Sequence, residues 1–252
     1  MTATGVLLAV FQVFLIIIAR SVQRSNACSQ MSALIPPFVR ALVGPALTSF
    51  MSFKGIVCVG YFHLAVMGSL VALSIALATV PTSEIEIGFM DLVLSRPLAR
   101  HWIITRSIIV VTVCTLALLV MMMIGTWAGL KALAPTSVAW PAPSLILSLA
   151  INLGLLMLCW GGVAIGAASR RRSVAGAVAG LLALATFLLD YVARAWQPAE
   201  AVGWLSPFRY FSPFDLVMGK ALPAKHLFVL GGITVAGFTL AYVLFSRRDI
   251  SH

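Results

Sequence analysis

Six charged side chains fall within one stretch, TSEIEIGFMDLVLSRPLARHWIITR, at residues 82–106: Glu84, Glu86, Asp91, Arg96, Arg100 and Arg106. Charge so concentrated in an apolar chain marks a surface that water or a partner solvates. The acids come first and the guanidinium groups follow. In a helix starting near Ser83, this order sets carboxylates at the positive N-terminus and bases toward the negative end. Phe89, Met90, Leu92, Val93 and Leu94 would give that helix an apolar side to rest on the membrane boundary or on neighbouring helices. The chemistry on offer is recognition by charge. The residues alone leave two structures open, an amphipathic interfacial helix or a solvated loop between spans, since such loops are commonly charged.

Reactive groups are otherwise sparse. His63 sits in an apolar run with no acid or cysteine in register and reads as a packing histidine, and Asp190 and Arg194, four apart, read as a helical ion pair. Cys28, Cys58, Cys114 and Cys159 show no metal or redox spacing, and the last three fall inside apolar runs as small hydrophobes. HExxH, Gly-x-Ser-x-Gly and GxxxxGK[ST] patterns are all missing. The expectation is a chain that is not an enzyme, with no metal site and no cofactor of its own.

The elements that position these residues are membrane spans. Hydrophobic residues make up 61% of the 252 and charged ones 10%, against about a quarter charged in soluble domains. Mean hydropathy is +1.06. The reading is an all-α integral membrane protein, residues 1–252 forming one transmembrane domain. Runs near the ~20 residues that cross a bilayer lie at about 55–80, 103–130, 144–168, 173–193 and 227–246. A sixth at about 4–19 is short, carries Gln12 and ends at Arg20, so it would need snorkelling or local thinning to span. The run is not a convincing cleavable signal peptide, since no Lys or Arg comes before it and SNACS after Arg24 is a weak processing site, so it is expected to stay as a span. The net charge of +10 is read as topogenic and headgroup-facing charge of loops, not as a nucleic-acid surface.

Arg and Lys in short loops orient such spans. Arg96, Arg100, Arg106, Arg170, Arg171, Arg172, Arg247 and Arg248 share one face, eight in all, and the dense clusters among them make that face cytoplasmic. The other face collects nine: Arg20, Arg24, Arg40, Lys54, Lys131, Arg194, Arg209, Lys220 and Lys225. Density in short connections outweighs the total, which places both termini in the cytoplasm.

Two apolar segments are too interrupted to be spans. MSALIPPFVRALVGPALTSFMSF reads as an extracytoplasmic interfacial helix, broken by Pro36, Pro37 and Pro45. VGWLSPFRYFSPFDLVMGKALPAKH precedes the last span as an interfacial or re-entrant segment, with turns at Ser206-Pro207 and Ser212-Pro213. Pro207, Phe208, Tyr210, Phe211 and Pro213 there are candidates for a gate, or for an anchor in the aromatic belt. Gly125 with Gly129, Gly162 with Gly166, and Gly176 with Gly180 have the spacing for close helix packing in lipid. The last two pairs flank Arg170–Arg172, which predicts a tight hairpin of the fourth and fifth spans.

With spans in place, EIEIGFMDLVLSRPLAR resembles the cytoplasmic connection of type-2 ATP-binding-cassette (ABC) exporter permeases: an acidic pair two apart, then Gly-Thr, then an apolar run ending in Pro-x-x-Arg. Glu84, Glu86, Gly88, Pro97 and Arg100 match, with Phe89 where the family has Thr and Arg106 where a Lys often follows. SPFRYFSPFDL before the last span and LFSRRDI after it are similar to the family's C-terminal half.

The resemblance implies a six-helix exporter permease of the bacterial inner membrane, paired with a second permease copy or homologue and driven by separate ABC ATPase subunits that carry the ATP and Mg. A periplasmic or extracellular accessory protein would be a further partner. Residues 83–100 would be the coupling helix, with Glu84, Glu86, Gly88, Asp91, Arg96, Pro97, Arg100 and Arg106 as the ATPase contact. Two other classes stay open. One is an ion-coupled secondary transporter or channel, for which polar midspan residues and repeated halves would be expected. The other is a non-transport partner of an envelope complex.

Overall fold

Lipid offers the backbone no hydrogen-bond partner, so apolar stretches in it must close their own ladder as helix. The computed structural model describes residues 2–24, 52–80, 101–135, 138–167 and 172–246, which are helical with short turns and contain no strand. In chain order the helices are α1 (Thr2–Arg24), α2 (Phe53–Val59), α3 (Leu64–Ala78), α4 (His101–Leu133), α5 (Pro143–Gly166), α6 (Arg172–Ala195), α7 (Gln197–Glu200), α8 (Pro213–Val217) and α9 (Ala224–Ser246). Six stretches among the described residues are long and apolar enough to cross a membrane: Thr2–Arg24, Phe53–Ala78, Ile104–Leu133, Pro143–Gly166, Ser173–Ala195 and Ala224–Leu244. The chain is thus a multi-pass membrane protein in its architecture. The segment 81–100 and the interfacial segment around Pro36–Pro45 lie outside the described residues.

The first span is a longer helix than its apolar run at about 4–19. The helix runs 23 residues, about 34 Å at 1.5 Å per residue, because Arg20 and Arg24 continue the ladder past the apolar stretch. With Arg20 and Arg24 snorkelling from its last turns, the helix can cross a hydrocarbon core of about 30 Å.

The second span departs from a continuous helix. Ser52 caps α2, its Oγ accepting from the Gly55 N–H at 3.1 Å. At Gly60–His63 the ladder tightens: Tyr61 N–H donates to the Cys58 carbonyl at 3.0 Å, and Phe62 N–H to that of Val59 at 3.0 Å. It resumes when Met67 N–H reaches the His63 carbonyl. The span is therefore two helices, α2 and α3, joined by a tight turn.

The chain divides into two compact units: Met1–Met67, Leu116–Leu153 and Ser212–Leu222 form one, and Gly68–Thr115, Gly154–Phe211 and Pro223–His252 the other. In the first, α1 lies parallel to the C-terminal part of α4. A Cβ at Gly5 would stand 3.3 Å from Met121, one at Gly125 2.6 Å from the Ala9 Cα, and one at Gly129 2.6 Å from the Ile16 side chain. Gly125 and Gly129 are thus the seam between α4 and α1.

In the second unit α5 lies parallel to α9. A Cβ at Gly162 would stand 3.0 Å from the Thr234 carbonyl oxygen, and one at Gly166 3.2 Å from that of Gly237. Gly176 and Gly180 have no atom within 4 Å of such a Cβ. The predicted glycine seam of an α5–α6 hairpin is therefore corrected: the close approach on α5 serves α9. Ser74 on α3 adds a donor to this unit, its Oγ bonding the Met157 carbonyl at 2.7 Å.

Candidate functional site

Of the residues assigned to ATPase contact, Glu84, Glu86, Gly88, Asp91, Arg96, Pro97 and Arg100 lie outside the described residues. Arg106 is exposed in the second turn of α4.

The segment before the last span is described throughout. In the second unit, α7 is followed by two 3₁₀ turns, Gly203–Leu205 and Pro207–Tyr210. Ser206 begins the second turn. Its Oγ accepts from the Phe208 N–H at 3.2 Å and donates to the Thr186 carbonyl of α6 at 2.8 Å. This tie turns Phe208 inward, where its ring stacks on Trp160 at 5.7 Å and meets Phe187 edge-on at 5.4 Å. Pro207 and Phe211 are also buried, while Tyr210 is half-buried, its hydroxyl donating to the Trp204 carbonyl at 3.1 Å. Trp196 and Trp204 stand exposed, as belt residues do. Ion pairs fasten the rest: Arg194 to Asp190 at 2.8 Å, the helical pair expected, and Arg209 to Glu200 at 3.5 Å. Pro213 opens α8 in the first unit and is buried; Phe214 meets Phe62 there at 5.2 Å, and Lys220 pairs with Asp215 at 2.7 Å. Four of the five gate candidates, Pro207, Phe208, Phe211 and Pro213, are buried in the protein.

Polar groups inside the spans carry more. Tyr61, at the break of the second span, shares a hydrogen bond of 3.0 Å with Thr126 of α4, whose Oγ1 also bonds the Met122 carbonyl at 3.0 Å. His63 is exposed and its ring meets Phe11 edge-on. Gln12, midway along α1, is fully buried, and its amide lies directly over the Gly60 backbone, where a Cβ has no room. Among the described residues neither its Oε1 nor its Nε2 has a hydrogen-bond partner, and the same holds for Oδ1 and Nδ2 of the buried Asn152 on α5. Both amides belong to the first unit. Two unpartnered amides inside membrane helices are costly to keep. Sequence reading weighed Gln12 only as a penalty on span length and passed over Asn152. A lone amide in each apolar run was the available signal.

Such a group contributes instability that an apolar side chain of similar size would remove. Gln12→Leu is expected to raise stability by about 1–3 kcal/mol, the cost of leaving a buried polar group unsatisfied. Unfolding of the purified variant in mixed detergent micelles reads this directly; lower stability would show that the amide is satisfied in the membrane.

Among the described residues no group of His, Cys, Asp or Glu side chains could hold a metal ion. Cys58, Cys114 and Cys159 are free thiols. No protein-family model, curated protein or solved structure matches this chain.

Proposed function

We propose that this chain is the membrane permease subunit of an ATP-driven exporter of the type-2 ABC class, working with separate ATPase subunits and a second permease. The observation that carries the reading is the stretch Glu84–Arg106, an acid-first, base-last charged segment that runs from between the second and third described spans into the first turns of the third, in a chain with no phosphate-binding loop motif. Energy for transport then has to arrive from outside. A charged helix at the membrane surface is a lever on which a nucleotide-closing partner acts, moving the permease between inward and outward access. Glu84 and Glu86 supply charge complementarity at the base of the second span, and Arg96 and Arg100 pair with acidic or carbonyl groups of the ATPase. The chain itself hydrolyses nothing and binds no cofactor; ATP and Mg belong to the partner. The membrane is the bacterial inner membrane, with both termini in the cytoplasm.

Purification of the tagged chain from its own membranes under mild detergent tests this. The expected result is co-purification of a nucleotide-hydrolysing subunit whose activity rises when the permease is present. A chain recovered without any ATPase, and without effect on one encoded nearby, would overturn the reading.

A gradient-driven carrier is the second reading, and the first unit favours it: discontinuous helices and midspan polar groups such as Gln12 and Asn152 are where such carriers hold ions. Substrate flux in ATPase-free liposomes under an ion gradient alone would establish that class.

A further inference from the structure

Within the first unit, α1 and α4 run parallel, and a cavity of about 450 Å³ opens between the last turns of α1 and the end of α4. Arg20, Gln23 and Arg24 line it from α1, and Leu133, Pro135 and Val138 from α4 and the chain after it. One wall is cationic and the other apolar. Among the described residues Arg20 and Arg24 form no ion pair, and the buried Arg20 Nε has no hydrogen-bond partner.

The unit cannot neutralise these charges itself. Its cations are Arg20, Arg24, Arg40, Lys54, Lys131 and Lys220, whereas its one carboxylate is Asp215, which Lys220 already holds at 2.7 Å. An anion held by Arg20 and Arg24 would therefore come from outside the unit.

The depth of the cavity says where from. The apolar stretch of α1 ends at Ala19, just before Arg20, and that of α4 at Leu130, just before Lys131. The cavity therefore lies where hydrocarbon gives way to headgroups, the level of lipid phosphates. Guanidinium groups bind phosphate through paired, charge-assisted hydrogen bonds. The volume falls in the range of small-molecule sites, and the apolar wall suits the glycerol and the first methylenes of a lipid better than a hydrated free ion. We propose that this cavity binds the phosphate group of an anionic membrane phospholipid, held between Arg20 and Arg24. The inference is independent of what drives transport, because it rests on the first unit alone.

Native mass spectrometry of the purified full chain in detergent tests it, with phosphatidylglycerol, phosphatidylcholine and inorganic phosphate added separately. Phosphatidylglycerol adducts are expected to survive collisional activation that strips phosphatidylcholine, and to weaken steeply between low and high salt. Arg20→Gln with Arg24→Gln is expected to lower phosphatidylglycerol affinity at least tenfold, and Arg20→Lys with Arg24→Lys to restore part of it. Retention of inorganic phosphate as strongly as the lipid would overturn a lipid source and make the site one for free phosphate. Equal retention of phosphatidylglycerol and phosphatidylcholine by the unaltered chain, with no salt dependence, would overturn the anion site altogether. That comparison needs no variant and stands even if the glutamine pair fails to fold.

Discussion

Gly125→Leu is expected to prevent the chain from reaching its folded state. A Cβ there would stand 2.6 Å from the Ala9 Cα and 2.7 Å from the Ala9 carbonyl oxygen. Both are backbone atoms of a 23-residue helix, so no rotamer change relieves the clash and α1 as a whole has to retreat from α4. Its retreat also opens the contacts of Gly129 with Val13 and Ile16, and of Gly5 with Met121. Lipid is as apolar as leucine, so close van der Waals contact is what holds two such helices together. The loss is expected at about 3 kcal/mol or more, the upper end of overpacking penalties. Gly180→Leu is the control. It makes the same chemical change in another span, where nothing lies within 4 Å, and is expected to stay within about 0.5 kcal/mol of the parent. Unfolding in sodium dodecyl sulfate micelles compares the two, and equal stability of the Gly125 variant and the parent would show that α1 and α4 do not meet at this seam.

If the proposed exporter reading holds, Arg100→Glu is expected to abolish ATP-driven transport while leaving the chain folded. If Arg100 pairs with an acidic or carbonyl group of an ATPase, reversal removes one attraction and adds a repulsion at the same contact. Losing one partner of a buried interfacial charge pair costs about 2–5 kcal/mol. At about 1.4 kcal/mol per decade, ATPase affinity should fall about 30-fold to several thousandfold. The change lies between spans, so detergent stability should not move. Loss of co-purified ATPase together with unchanged unfolding would separate coupling from folding. Undiminished transport by the variant would remove Arg100 from the contact and weaken the exporter reading with it.

Apolar runs announced the six spans, and their bounds moved by only a few residues in the structure. At α1 the helix runs on through Arg20 to Arg24, as a guanidinium on a long stem that snorkels from the hydrocarbon edge allows. The Asp190–Arg194 pair was also readable, because four-residue spacing on a helix is itself the geometry. Phe208 was noticed for its aromatic character, but whether it faced lipid or the protein rested on Ser206 reaching Thr186, a contact twenty residues away. The glycine pairs show the boundary of such reading. All three had the spacing for close approach; two are seams, and the third, Gly176 with Gly180, faces open space.

Composition and apolar runs alone determined that this is a multi-pass helical membrane protein, with six spans among the described residues and a charged segment between the second and third of them. Both are consequences of solvation: hydrocarbon demands a closed backbone ladder, and charge demands water or a partner. The tertiary structure decided which helix meets which, where the second span breaks, that Gln12 and Asn152 lie unpartnered, and that Arg20 and Arg24 line a cavity with no carboxylate of its own unit to spare. In lipid every apolar neighbour satisfies a span equally well, so partner choice rests on the shapes of surfaces brought within a few ångströms, and a one-dimensional pattern of hydropathy does not carry them.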